Sequence, residues 1–176
     1  MKFVVLNALQ MQTSDLYHKW VNRLQALAEM AEMPRWLFQS HRSTNVTIKK
    51  DSQQWFQPQA FFATNPSSQI EVGVMISDQG EVQSCVWFRT FEEICEIDYI
   101  FTLPQARGQG WAKELLLNLC QQALKESRFK EIWLEVEERN AAARRLYESL
   151  GFIGEHKRKD YYGPGRHGFN YRLKLL

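Results

Sequence analysis

Between residues 94 and 127 the hydrophobic positions change their period. Ile97, Tyr99, Phe101 and Leu103 alternate with Asp98, Ile100 and Thr102, a spacing of two that predicts a strand over Ile94–Leu103. Pro104 ends it, because proline cannot donate to a sheet ladder. From Ala112 the apolar side chains recur at 112, 115, 116, 119, 120, 123 and 124, which predicts a helix with one apolar face running to about Ser127. Between strand and helix lies Arg107-Gly108-Gln109-Gly110-Trp111-Ala112.

The same rules divide the remaining chain. Phe3–Leu9 is predicted as a strand. Thr13 or Ser14 caps a helix with Asp15 in its first turn. Leu16, Trp20, Leu24, Leu27 and Met30 or Ala31 keep helical spacing to about Met33, where Pro34 stops or kinks the helix. A second short helix is expected over Arg35 to about His41. Ser43–Gln59 is polar and poorly patterned and reads as a loop or insertion. Ala60–Thr64 reads as a short strand and Asn65-Pro66-Ser67-Ser68 as a turn. Ile70–Ser77 and Glu81–Arg89 form a predicted hairpin around Asp78-Gln79-Gly80. Lys130–Val136 reads as a buried strand, parallel to Ile94–Leu103 because a helix connects them. Asn140 caps a predicted helix Ala141–Leu150, and Gly151 is placed as its terminator. The tail His156–Leu176 holds two strand-like pieces around Gly163-Pro164-Gly165, of which Phe169–Leu175 is expected to close the sheet. No repeat or linker splits residues 1–176, so one domain is expected.

Composition narrows the function classes. The 176 residues carry 44% hydrophobic and 24% charged residues, ordinary for a globular protein with a core of its own. A net charge of +2 gives no electrostatic case for nucleic acid. No apolar run reaches the 18 or so residues of a membrane-spanning helix, so no membrane partner is expected. The start, MKFVVLNALQMQ, reads as a first strand, because Asn7 interrupts the apolar run and no small-residue cleavage site follows. Cys85, Cys95 and Cys120 form neither an even set nor a metal-ligand spacing and read as reduced thiols of a cytoplasmic protein. His18, His41, His156 and His167 show no ligand spacing either, so no metal is expected.

The turn at 107–112 has its own chemistry. Glycine lets backbone approach a ligand closely, and the free N–H groups at a helix start together with its dipole favour phosphate. It reads either as a pyrophosphate cradle or as a plain strand-to-helix connection. There is no Gly-Lys-Ser/Thr of a Walker loop and no Gly-x-Gly-x-x-Gly dinucleotide spacing.

A second segment, IWLEVEERNAAARRLYESLGF at 132–152, joins that turn. Together they resemble the GNAT acetyltransferase superfamily, and the Trp-Leu-Glu-Val strand, the Asn-Ala-Ala-Ala helix start, the Leu-Tyr-Glu-Ser-Leu-Gly-Phe ending and the RKDYY run at 158–162 resemble its ribosomal-protein-alanine N-acetyltransferase branch. The likeness covers about residues 94–176, whereas 1–93 agree in outline only. The resemblance implies an α/β (α+β) GNAT fold, a mixed, mostly antiparallel sheet flanked by helices, with a central parallel pair that splays apart. It also implies acetyl-CoA in the gap, bound by a half at 94–176, and an acceptor-side half at 1–93 with the insertion near 43–59. By correspondence, backbone groups of Ile100, Phe101 and Thr102 would meet the pantetheine and acetyl carbonyl. Arg107, Gly108, Gln109, Gly110, Trp111, Ala112 and Lys113 would hold the pyrophosphate, and Asn140 would reach the cofactor from the second helix. Glu135 would act as general base and Tyr147 as general acid. The sequence departs from the family in Thr102-Leu103-Pro104 for the usual Val-x-Pro, Gly108 for a frequent basic residue, and the bulky Trp111 for an aliphatic one.

The expected activity is transfer of an acetyl group from acetyl-CoA to a primary amine, a protein or peptide N-terminus or a small molecule, directly in a ternary complex. A non-catalytic acyl-CoA sensor is the alternative, and the protein is expected as a monomer or homodimer. The amine must lose its proton before it attacks; an α-amino group near pKa 7.7–8.0 asks less of a base than lysine near 10.4. A carboxylate at about 4.3 is a weak base unless burial or a relaying water helps. A backbone N–H of Ile100–Thr102 is the candidate oxyanion donor, and a phenol near 10 can protonate a departing thiolate. Each residue also has a plainer role. Glu135 fits a solvent-facing or Arg-paired carboxylate, Tyr147 a core-edge aromatic, Asn140 a simple cap, and Cys95 and Cys120 small packed thiols. His156–Lys159 reads as a solvated basic face, and Trp36, Phe38, Trp55, Phe56, Tyr161 and Tyr162 as core or as walls of an acceptor pocket.

Overall fold

A computed structural model describes residues 1–7, 10, 15 and 69–175 of the chain. They contain β1 (Lys2–Asn7), β2 (Gln69–Ile76), β3 (Val82–Phe91), β4 (Ile94–Thr102), a 3₁₀ turn (Pro104–Ala106), α1 (Trp111–Glu126), β5 (Glu131–Glu137), α2 (Ala141–Ser149), β6 (Ile153–Arg158) and β7 (Gly168–Lys174). The expected helices over Leu16–Met33 and Arg35–His41, the loop Ser43–Gln59, the strand Ala60–Thr64 and the turn at 65–68 lie outside the described residues. Gln10 and Asp15 are both helical, so helical structure is present ahead of the predicted Thr13 or Ser14 cap.

The strands form a seven-stranded sheet among the described residues, in the order β1-β2-β3-β4-β5-β7-β6. All pairs are antiparallel except β4 with β5. One expectation fails here. The Phe169–Leu175 stretch does not close the sheet; as β7 it inserts between β5 and β6, and β6 takes the edge. The reason is pattern. Gly168 and Tyr171 of β7 are buried, whereas no residue of β6 is, so the strand with inward-facing positions is paired on both sides.

The core lies under α1, whose Trp111, Leu115, Leu116, Leu119 and Ala123 are buried at the predicted helical spacing. The helix packs on β2, β3 and β4. At the far end of α1, buried Glu71 of β2 is paired with Arg128, which keeps the carboxylate from being stranded in the core. Cys85 and Cys95 are fully buried, and burial pushes both thiols well up, which makes them unreactive.

β4 is not regular. Trp87 pairs with Tyr99 and Phe88 with Ile97, so Asp98 is an extra residue, a β-bulge. Arg89 of β3 grips it with both ends of its guanidinium, Nε to Oδ2 at 2.7 Å and Nη2 to Oδ1 at 2.5 Å.

Candidate active site

The parallel pairing of β4 with β5 runs from Ile94↔Glu131 to Ile97↔Leu134 and stops. Asp98 on one strand and Glu135 on the other are therefore the first residues past the last pair. Beyond it β4 still pairs with β3 as far as Thr102, and β5 with β7 as far as Glu137. The two strands thus part while each keeps its outer neighbour, which leaves an opening in the middle of the sheet.

Which backbone groups face that opening follows from the ladder. Leu103 N–H donates to Gln83 O at 3.0 Å, so Leu103 and, two residues back, Phe101 turn their polar groups to β3. Ile100 and Thr102 alternate with them and turn theirs to the side where β5 has left. Of the three residues named for this role, Phe101 is thus occupied with β3, its carbonyl also accepting from Ser84 Oγ at 2.8 Å.

The glycine turn lies past the end of β4. Gly108 and Gly110 have φ of +75° and +85°, the left-handed region that glycine enters without strain. A Cβ built on either would meet nothing within 4 Å, so both backbones border open space. Gly110 is the N-cap of α1 and supplies no capping side chain. No described carbonyl accepts from the N–H groups of Gly108 to Lys113, and these groups open α1. The side chains behave differently. Arg107 Nε donates to Thr102 O at 3.2 Å with its guanidinium carbon 5.9 Å from the Phe101 ring centroid, so it ties the turn to β4. Gln109 donates to Gln105 O at 2.8 Å and accepts from Trp111 Nε1 at 3.3 Å, which braces the turn from within. Trp111 is buried, Ala112 half-buried and Lys113 exposed.

α2 brings Asn140 and Tyr147 to the other side of β5. Asn140 Oδ1 accepts from Ala143 N–H at 3.2 Å, the expected cap. Gly151, at φ +88°, ends the helix as predicted. Tyr147 is the buried residue of α2 and packs on Phe152 and Tyr171 at centroid distances of 5.8 and 6.2 Å. Burial raises its phenol well above the ordinary range. Tyr171 is locked in turn, donating to Glu148 at 2.6 Å and accepting from Arg144 at 3.1 Å.

Tyr171 is the cross-strand partner of Leu134, so Tyr147 belongs to the Leu134 face of the sheet, and the pleat puts Glu135 on the opposite face. Glu135 is half-buried there and paired with Arg158, the last residue of β6. Tyr161 also donates to Glu135; burial first, then this bond, push its phenol up to about 12. Arg158 in turn lies over Tyr161, 3.8 Å from the ring centroid. Tyr162 is raised by burial and then by the charges of Glu135, Tyr161 and Tyr147. The turn between β6 and β7 is built around Asp160, whose carboxylate accepts from Gly165 N–H at 2.7 Å and whose N–H donates to His167 Nδ1 at 3.0 Å. It seats both tyrosines on Gly168, where an added Cβ would come within 3.1 Å of Tyr161 and 3.3 Å of Tyr162.

The basic tract is exposed as expected, yet it is not merely solvated. Lys157 reaches Glu138 at 2.6 Å and Arg158 reaches Glu135. Arg166 holds Glu137 in a fork at 2.7 and 2.8 Å. These partners were missed in the sequence, because the signal, acids on one segment and bases on another, needs the strand order before it says which pairs meet. Arg166's hydrogen bonds hold the Glu137 carboxyl below the usual range. A carboxyl held low contributes stability that is fully present above its unfolded pKa of about 4.3 and is lost as pH falls through its lower folded value. Wild type is therefore expected to exceed Arg166→Gln in stability at neutral pH, and the gap is expected to close on acidification toward about pH 2, as read by urea unfolding at each pH.

Among the described residues no group of three or more His, Cys, Asp or Glu is placed to hold a metal ion, and no helix is long and apolar enough to cross a membrane.

Comparison with known proteins agrees with this geometry. A profile of the Acetyltransferase (GNAT) family matches residues 28–152, reaching back into the half that resembled it only in outline. The [ribosomal protein bS18]-alanine N-acetyltransferase of Haemophilus ducreyi is 31% identical over 102 residues, 51% of this chain and 70% of that protein. The crystal structure of the ribosomal-protein-S18-alanine N-acetyltransferase from Escherichia coli superposes with a TM-score of 0.57 at 23% identity, over 68% of this chain and 77% of that one. A Bacillus anthracis protein assigned as a streptothricin acetyltransferase, in complex with acetyl coenzyme A, gives 0.53 at 20% identity, over 66% and 68%. These two structures share the fold. With the family profile covering well over half of its length, a mixed sheet that parts at its parallel pair and a glycine turn at the mouth, this chain belongs to the GNAT family of N-acetyltransferases.

Proposed function

We propose that this protein acetylates a primary amine, with acetyl-CoA as donor and a protein or peptide N-terminus as acceptor, by direct transfer within a ternary complex. The observation that carries this is the parting of β4 from β5 after Ile97 and Leu134, with Glu135 as the first residue inside the opening. The residues fit the donor. Gly108 and Gly110 border open space, and the N–H groups of Gly108–Lys113 have no described acceptor, which suits a diphosphate. Ile100 and Thr102 offer backbone groups to the pantetheine, and Asn140 can cap its helix through Oδ1 while presenting its amide N–H to the cofactor. Acetyl-CoA supplies the activated acyl thioester.

The chain's own groups manage protons. Glu135 Oε takes one from the acceptor amine, directly or through water. Tyr147, protonated throughout the physiological range because it is buried, holds a proton at Oη on the opposite face. The break in the sheet lets groups on both faces act on one point. A backbone N–H of Ile100 or Thr102 is the donor for negative charge developing on the acyl oxygen.

The acceptor follows the bS18-alanine relatives, whose named substrate is a protein. The test is an acetyl-transfer screen of peptide N-termini against a panel of small amines, read by thiol release. Turnover of peptides ending in a small residue is expected. Turnover of small amines alone would move the acceptor class, and acetyl-CoA binding with no turnover of any amine would make the protein a sensor.

A further inference from the structure

We infer that Arg158 is an internal stand-in for the acceptor's ammonium: its guanidinium occupies Glu135 until a protonated primary amine displaces it. This rests on the acetyltransferase reading and names what that site selects for.

Four carboxylates of β5 and its end, Glu131, Glu135, Glu137 and Glu138, each have a cationic partner from β6, β7 or the turn between them. The partners are held differently. Glu137 is gripped by both ends of the Arg166 fork. Glu135 receives one bond from one guanidinium nitrogen, Nη1. A single bond can be exchanged for an ammonium of like charge one for one, whereas a fork cannot. Both members are also open to water, with side-chain exposures of 46% for Arg158 and 25% for Glu135. Arg158 ends an edge strand and is followed at once by the turn, so its side chain can swing out without moving a paired strand on its outer side.

The surroundings of Glu135 suit an incoming N–H donor. Its cross-strand neighbour Asn170 carries a buried Oδ1 with no partner among the described residues. Tyr161 donates to Glu135 and keeps the carboxylate in place when the guanidinium leaves. Displaced, the guanidinium still has the Tyr161 ring beneath it. The charged and titratable groups near Glu135 include Arg158, Tyr161 and Tyr162, Glu131 and Glu137 on its own strand, Arg172 and His156 across β7 and β6, and Glu96 and Asp98 of β4, both held by Arg89. Of these Arg158 is the one cation bonded to the carboxylate. The carboxylate is thus already occupied by a cation, and an incoming ammonium of like charge would take the same place.

The test is Arg158→Gln in the full chain, with Arg158→Lys as the control that keeps a cation. The effect of Arg158→Gln is read on the affinity for the acceptor amine. KM for a peptide amine is expected to fall about threefold, the scale of a partly exposed ion pair. The limb of the pH–rate profile set by the acceptor's own α-amino group, near 8, stays where it is. Arg158→Lys is expected to keep the wild-type KM. The exchange can also be read without turnover, from the carboxyl carbon shifts of ¹³C-labelled glutamate, with the Glu135 signal assigned by Glu135→Gln. In wild type the signal is expected to move when peptide amine is added, and in Arg158→Gln to move at a lower amine concentration. A Glu135 signal that responds to peptide amine at the same concentration in both proteins, or an Arg158→Gln with raised KM, overturns the proposal even in an active enzyme. A responsive Glu135 in a protein that transfers no acetyl group supports the exchange and removes the acetyltransferase reading alone.

Discussion

Tyr147→Phe is expected to lower kcat by about 10²-fold or more while leaving the Kd for acetyl-CoA within about twofold. The ring is what packs. Tyr147 touches Phe152 and Tyr171 through aromatic faces, and phenylalanine keeps those contacts. The hydroxyl has no described hydrogen-bond partner that would leave a hole in a network. The substitution therefore removes a proton donor and little else, which separates turnover from binding. Burial adds a second expectation. A phenol raised well above its usual value stays protonated, so its own ionisation gives no falling limb below about pH 10. An undiminished kcat, measured at saturating acetyl-CoA, would take Tyr147 out of the chemistry.

The second large effect is expected at Glu135. Glu135→Gln is expected to lower kcat/KM by about 10²-fold and to abolish the acidic limb of the pH–rate profile. Glutamine preserves the shape of the side chain on the half-buried face of β5, and it can still accept from Tyr161, but it cannot take a proton. Arg158 loses its charged partner, though it keeps the Tyr161 ring, so melting temperature is expected to change little. A profile whose acidic limb survives intact would place the base elsewhere.

Much of the half from β4 to α2 is legible in the residues alone. Each relevant element obeys one local rule. A spacing of two marks β4, a proline ends it, two glycines take positive φ, and apolar positions at 115, 116, 119 and 123 are buried in α1. Asn140 and Gly151 cap α2 where their residue types demand. The family motif then supplies roles that local rules cannot. What is illegible is non-local. Asp98 looks like one more residue of an alternating strand, and only its place opposite the Trp87–Phe88 step makes it a bulge. Phe101 stands between Ile100 and Thr102 in the sequence with nothing to distinguish it, yet ladder parity turns it away from the opening. The order β5-β7-β6 reverses the last two strands, and with it the identity of Glu135's partner. Charge count could suggest that Glu135 meets an arginine, but not that the arginine comes from the strand one place removed.

That separation has a consequence at Gly168. Arg158 and Glu137 flank this residue on neighbouring strands, and β7 carries only a hydrogen there. The bare position is where the Tyr161 and Tyr162 rings come down on the strand. A methyl group would press on the two rings above it. The seating of two aromatic rings against the rim thus hangs on one missing methyl group.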